Sequence, residues 1–119
     1  AWITSIDESS DWLSANDPCV LDLGNGWRLP TKSEWAFIDN AEGWVNYNDT
    51  YDSVLKLHAA GNLNYSVGSL NSRGIYGYYW SSTQFSSTNG RYFILNSGSA
   101  YTNSSFKTNG FAVRCLRDY

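Results

Sequence analysis

Apolar residues recur at helical spacing only in the first half of the chain. Trp35, Ile38 and Ala41 share one face of a run that opens on Thr31-Lys-Ser-Glu34. That tetrapeptide is a capping box: the Thr31 hydroxyl accepts from the Glu34 backbone N–H while the Glu34 carboxylate reaches back. Pro30 holds the preceding Trp27-Arg28-Leu29 extended, and Gly43 suits the left-handed residue that ends a helix. The pattern predicts a helix from Thr31 to Glu42. An earlier segment, Asp7 to Asn16, has helical composition with Trp12, Leu13 and Ala15 as core contacts. Asp17-Pro18 would stop it, because proline disfavours the helical conformation of the residue before it.

After Gly43 the texture changes to short segments of Val, Ile, Tyr, Phe and Thr punctuated by Gly and Asn, which reads as strands and turns. Ser53 to Leu57, Tyr78 to Thr83, Arg91 to Asn96 and Phe111 to Leu116 are the predicted strands. In the last, Phe111, Val113 and Cys115 fall on one face, and Ala112, Arg114 and Leu116 on the other. Two helices followed by several strands predict an α+β domain.

The chain has 119 residues, 42% hydrophobic and 17% aromatic, enough for one domain with one continuous core rich in rings. It contains no Met and starts on Ala-Trp-Ile-Thr, the look of a piece of something longer. No apolar run approaches the length of a membrane span.

A net charge of -3 hides an asymmetry: apart from Asp118, every carboxylate lies at or before Asp52. Lys56, Arg73, Arg91, Lys107, Arg114 and Arg117 are scattered singly through the second half, without the clustered basic footprint that nucleic-acid binding needs. Acid–base catalysis lacks its parts as well. His58 is the single histidine, the chain from Ser53 to Arg117 has no carboxylate to partner it, and no Gly-x-Ser-x-Gly elbow surrounds a serine. Phosphate loops and dinucleotide fingerprints do not occur. The oxygens of Asn46, Asn48, Asp49 and Asp52 offer either a structural ion site or a plain solvated turn. Cys19 and Cys115 with His58 fall short of a four-ligand zinc site. No metal or cofactor is therefore expected. A bridge between the two cysteines suits an exported domain, whereas in a reducing compartment both would be ordinary buried thiols.

In the stretch from Ile75 to Phe106, Ser, Tyr, Asn and Thr make up more than half of the residues. Tyr gives large amphipathic contact area while ordering few torsions, and Ser and Asn add adaptable hydrogen bonds, the palette of antibody paratopes. The same residues also favour strands and turns for purely structural reasons.

Asp17-Pro-Cys19, Gly26-Trp-Arg-Leu-Pro-Thr31 with Glu34-Trp35, Leu55-Lys-Leu57 with Ala59-Ala-Gly61, Gly77-Tyr-Tyr-Trp-Ser-Ser-Thr83 and Gly110-Phe-Ala-Val-Arg-Cys115 span almost the whole chain. In that order they resemble the Fibrobacter succinogenes major paralogous domain and its relatives in gut Bacteroidetes. The resemblance implies a C-type-lectin-like fold, with two helices in the N-terminal half packed on a small, mostly antiparallel twisted sheet. It also implies an exported domain of a bacterial cell surface or pilus in which Cys19 and Cys115 pair. The chain departs from the family at His58, where proline is common, and at Asn62-Leu63, where a Tyr-Arg pair is common. The sugar signatures of calcium-dependent lectins have no counterpart, which argues against calcium-dependent sugar binding.

A subset of this fold serves as the variable protein of diversity-generating retroelements, in which adenines of Asn codons are randomised within a fixed frame. The chain looks like one of these. Gly77, Trp80, Ser81, Ser82, Gly90, Gly98, Gly110 and Arg114 would be frame. Ile75, Tyr76, Tyr78, Phe85, Ser86, Ser87, Tyr92, Ile94, Ser97, Ser99, Tyr101, Ser104, Ser105 and Phe106 would form the variable ligand-binding surface, each being a type that an altered Asn codon encodes.

The expected function is thus non-enzymatic: a monomeric display or adhesion domain within a larger surface protein, binding a protein or glycan on another cell or phage. It would neither bind nucleic acid nor insert into a membrane. The alternative is a non-diversified structural or tip domain of a surface adhesin that could bind glycan. Catalysis like that of the formylglycine-generating enzymes, which share the broad fold, would need reactive cysteines in an open site.

Overall fold

Asp17 starts a helix rather than stopping one. In the structure, a computed structural model that describes residues 8–118, helix α1 spans Pro18–Leu23. Asp17 is its N-cap, its Oδ1 accepting from the Cys19 N–H at 2.8 Å, and Pro18 occupies the first turn, where its missing N–H costs nothing. The helix predicted over Asp7 to Asn16 is not formed. Its first residue lies outside the described residues, and 8–16 run as turns and extended chain, with the Trp12 N–H bonded to the Ser82 carbonyl at 2.9 Å. The other carboxylate oxygen of Asp17 accepts from the Leu29 N–H at 2.9 Å, so one buried side chain ties α1 to strand β1, Trp27–Arg28.

Helix α2, Lys32–Glu42, follows the sequence closely. Both bonds of the capping box are present, and Gly43 ends the helix at φ 65°. Trp44 then turns back into the core, and Asn46 caps a third helix that the strand-like texture concealed, α3, Tyr47–Asp52. Two of the four residues weighed as an ion site serve as caps: Asn46 Oδ1 accepts from the Asn48 and Asp49 N–H groups, and Asp49 Oδ2 from the Val45 N–H. Among the described residues no cluster of three or more His, Cys, Asp or Glu side chains could hold a metal. The strand predicted over Ser53 to Leu57 is a turn that delivers Leu57 to the core.

The second half builds a small hairpin, β2 (Asn62–Leu63) with β3 (Leu70–Asn71), and an antiparallel sheet of β4 (Gly77–Gln84), β5 (Asn89–Leu95) and β6 (Ala100–Phe106) in that order. β6 carries no strand prediction, because its Ser- and Asn-rich sequence reads as turn. The strand predicted over Phe111 to Leu116 shrinks to β7, Leu116–Arg117, paired with β1. Val113 and Arg114 are both exposed, so strand alternation fails there, and Ala112 makes only an isolated bridge to Tyr79.

The result is an α+β arrangement with α2 against one face of the β4–β6 sheet. Trp35, Trp44, Leu57, Tyr79, Phe93 and Leu95 form the core between them. The Trp35 and Phe93 rings stack with centroids 5.2 Å apart and planes 9° apart. Gly77 is required for this packing, since a Cβ there would sit 2.7 Å from the His58 carbonyl and 2.8 Å from Leu95 Cδ1. Cys19 and Cys115 are joined in a disulfide that, with the β1·β7 pair, binds the two ends of the domain together.

Candidate functional site

Strand geometry sends alternate side chains of the β4–β6 sheet to opposite faces. Tyr79 and Phe93 point to the core, so Tyr78, Trp80, Tyr92, Ile94, Tyr101, Asn103 and Ser105 belong to the outer face. Tyr78 lies opposite Ile94, Trp80 opposite Tyr92, and Ile94 opposite Tyr101.

Phe111 folds over this face. Its ring stacks on Tyr78 at 4.7 Å with an interplanar angle of 11°, and meets Trp80 at 4.5 Å and Tyr92 at 4.8 Å. Tyr76 extends the cluster, its ring 5.8 Å from that of Tyr78. Burial pushes the Tyr78 phenol above its ordinary value, a hydrogen bond to Ser72 works the other way, and the Tyr76 and Tyr101 phenols add to the rise. Tyr92 is shifted upward likewise, first by burial and then by Tyr78 and Tyr101. Four phenols thus converge on one region, each a hydroxyl able to donate or accept hydrogen bonds.

The fourteen proposed surface residues do not share one location. Tyr76, Tyr78, Tyr92, Ile94, Tyr101 and Ser105 belong to or border the outer face. Tyr101 is 43% exposed and Tyr76 and Tyr78 are half-buried, but Tyr92 at 7% and Ile94 at 5% lie beneath their neighbours, out of direct reach of a partner. Phe85, Ser86 and Ser87 form the β4–β5 turn, where Phe85 packs 4.4 Å from the Arg91 guanidinium and the Ser86 hydroxyl accepts from the Asn89 N–H. Ser97 and Ser99 belong to the β5–β6 turn organised by Asn96 Oδ1, about 20 Å away at the other end of the seven-residue β5. Ser104 is half-buried on the core side of β6, and exposed Phe106 meets Tyr65 edge-on at 5.2 Å. Ile75 is exposed just before β4.

Two parts of this surface escape sequence reasoning. Phe111 organises the tyrosines although it lies beyond the Tyr-rich stretch. The β2–β3 hairpin places exposed Leu63, Tyr65, Val67 and Leu70 nearby; the signal that could have found it is the turn-forming Asn64-Tyr-Ser-Val-Gly68, where Asn64 Oδ1 accepts from the Ser66 and Val67 N–H groups. His58, in contrast, contributes its backbone, which bonds the Tyr79 hydroxyl in both directions at 3.0 Å.

A family model described as Domain of unknown function (DUF8237) matches residues 38–116, which takes in α3, the hairpin, the whole β4–β6 sheet and Phe111. No curated protein and no solved structure matches the chain.

Proposed function

The chain belongs to the family described as Domain of unknown function (DUF8237), and we propose that it is a ligand-binding display domain using the outer face of the β4–β6 sheet. The observation that carries this reading is the grouping of Tyr76, Tyr78 and Tyr101 around a bed of Phe111, Trp80 and Tyr92. Rings held in place by other rings lose little entropy on binding, and fully desolvated aromatics dominate interface energetics. Ser105 and Asn103 on the same face add hydrogen-bonding groups without charge. A macromolecular partner, a protein of another cell or phage, suits a face made of rings and neutral hydrogen-bonding groups.

We further read the fold as C-type-lectin-like and the exposed positions as diversified, as the sequence resemblance implies. Supporting the fold reading are the joined chain ends, the helix-backed sheet and the Cys19–Cys115 bridge. The bridge also suits an extracellular site on a cell surface or pilus. It leaves neither thiol free for thiol-based catalysis. Burial of Tyr92 and Ile94 favours the alternative, a structural adhesin module, because a face that packs its own rings needs no partner.

One experiment separates the two. The domain is tested by biolayer interferometry against arrayed bacterial and phage surface proteins and a glycan array, beside Tyr76→Ala/Tyr101→Ala. A protein hit lost in the variant, with the melting temperature nearly unchanged, is the expected outcome. Hits that survive the double substitution overturn the proposal, as does a large loss of stability that places both rings in the core. Sequencing the gene across a natural population tests diversification: substitutions should concentrate at adenines of the exposed codons between Ile75 and Phe106.

A further inference from the structure

On the opposite side of the sheet, a groove of about 550 Å³ lies between α2 and the segment leading into β7. That size is within the range of small-molecule sites. Trp35, Phe37, Leu55 and Leu116 contribute to an apolar lining, and Phe37 is 74% exposed at its rim. Two charged side chains reach the groove, Glu34 and Arg114. They differ in what is left over.

Glu34 is fully engaged. Its carboxylate takes two hydrogen bonds from Arg28, at 2.6 and 2.8 Å, and another from the Thr31 N–H at 2.8 Å. Arg114 makes no hydrogen bond and no ion pair among the described residues. The groove therefore presents an apolar floor and one uncommitted guanidinium. We propose that it binds an amphipathic monocarboxylate, the apolar body lying along Phe37 and Leu55 and the carboxylate pairing with Arg114.

Charge complementarity selects the head group. A guanidinium fork matches a planar carboxylate with two parallel hydrogen bonds. A single cation balances a single negative charge, whereas the second charge of a phosphate monoester dianion would be left without a partner over an apolar floor. The floor selects the body, since apolar surface removed from water on both partners supplies the driving force. This site faces away from the tyrosine surface, so neither proposal depends on the other.

The test uses decanoate and, as its uncharged counterpart, 1-decanol, both below their aggregation limits. Each is titrated calorimetrically into the wild-type domain, Arg114→Gln and Phe37→Ser, with amide chemical shifts followed in parallel. Both substitutions are at exposed positions, and circular dichroism confirms that the variants are folded. Decanoate should perturb the amides of Ser33, Phe37 and Leu116. Arg114→Gln should weaken decanoate about tenfold or more and change 1-decanol by less than about twofold, whereas Phe37→Ser should weaken both. Absence of decanoate binding, binding indifferent to Arg114→Gln, or shifts confined to the tyrosine face would overturn the proposal. So would sedimentation showing a second copy in the groove, as a dimer that Phe37→Ser dissociates and decanoate does not.

Discussion

Tyr78 and Tyr79 are consecutive in β4 and serve opposite faces of one sheet: Tyr78 stacks on Phe111 at 4.7 Å, while Tyr79 bonds both backbone groups of His58 from within the core. The same side chain is thus a surface ring in one position and a buried strut in the next. Tyr79→Phe leaves the His58 N–H and carbonyl without their partner and should cost about 1–3 kcal/mol, and Tyr79→Ala about 3–5 kcal/mol. Tyr101→Ala, on the exposed outer face, should change stability by about 0.5 kcal/mol. Urea denaturation of the three variants measures the contrast.

Asp17 joins two elements through one carboxylate. Replacing it with Ala strips the Cys19 and Leu29 N–H groups of their acceptors, and Asp17 is only 3% exposed, so water cannot readily substitute. The expected loss is at least about 2 kcal/mol. Asp17→Asn, which retains one acceptor oxygen, should lose roughly half as much by the same reasoning, as thermal unfolding would show.

The Glu34 carboxyl is held at about 2, below its ordinary 4.5, chiefly by hydrogen bonds from Arg28 and further by the Thr31 backbone, against the opposing effect of burial. A depressed carboxyl stabilises the folded state fully above about pH 4.5, and the contribution fades as pH falls toward 2. Glu34→Gln keeps the capping geometry and removes the charge. Its stability should fall below wild type by about 1 kcal/mol or less at pH 7, because the pair is partly exposed, and the two curves should converge near pH 2. Chemical denaturation between those pH values checks this.

Reduction of Cys19–Cys115 reopens a loop of 96 residues' separation. The chain-entropy account puts the loss at about 4–5 kcal/mol, a large share of what a domain of this size possesses. Cys19→Ser/Cys115→Ser should therefore melt well below wild type, and wild type with reductant should melt near the double variant. Intact mass before and after alkylation confirms the starting bond.

Signals that act over a few residues were legible in the chain. Thr31, Glu34 and Gly43 delimit α2 because capping bonds and a left-handed stop involve only neighbours, and β4 and β5 could be read from their aromatic and β-branched texture. Asp17-Pro18 was legible as a boundary but not as a beginning. The dipeptide satisfies either role, and the choice lies with Leu29, whose N–H takes the second carboxylate oxygen. Asn46 likewise reads as turn or cap, and β6 becomes a strand because β5 stands beside it. For the Tyr-rich stretch, composition specified a set of amphipathic side chains and nothing about which would meet solvent. Tyr92 is buried and Tyr101 exposed because Phe111, far along the chain, folds onto one part of the outer face, and such long-range packing has no local signature.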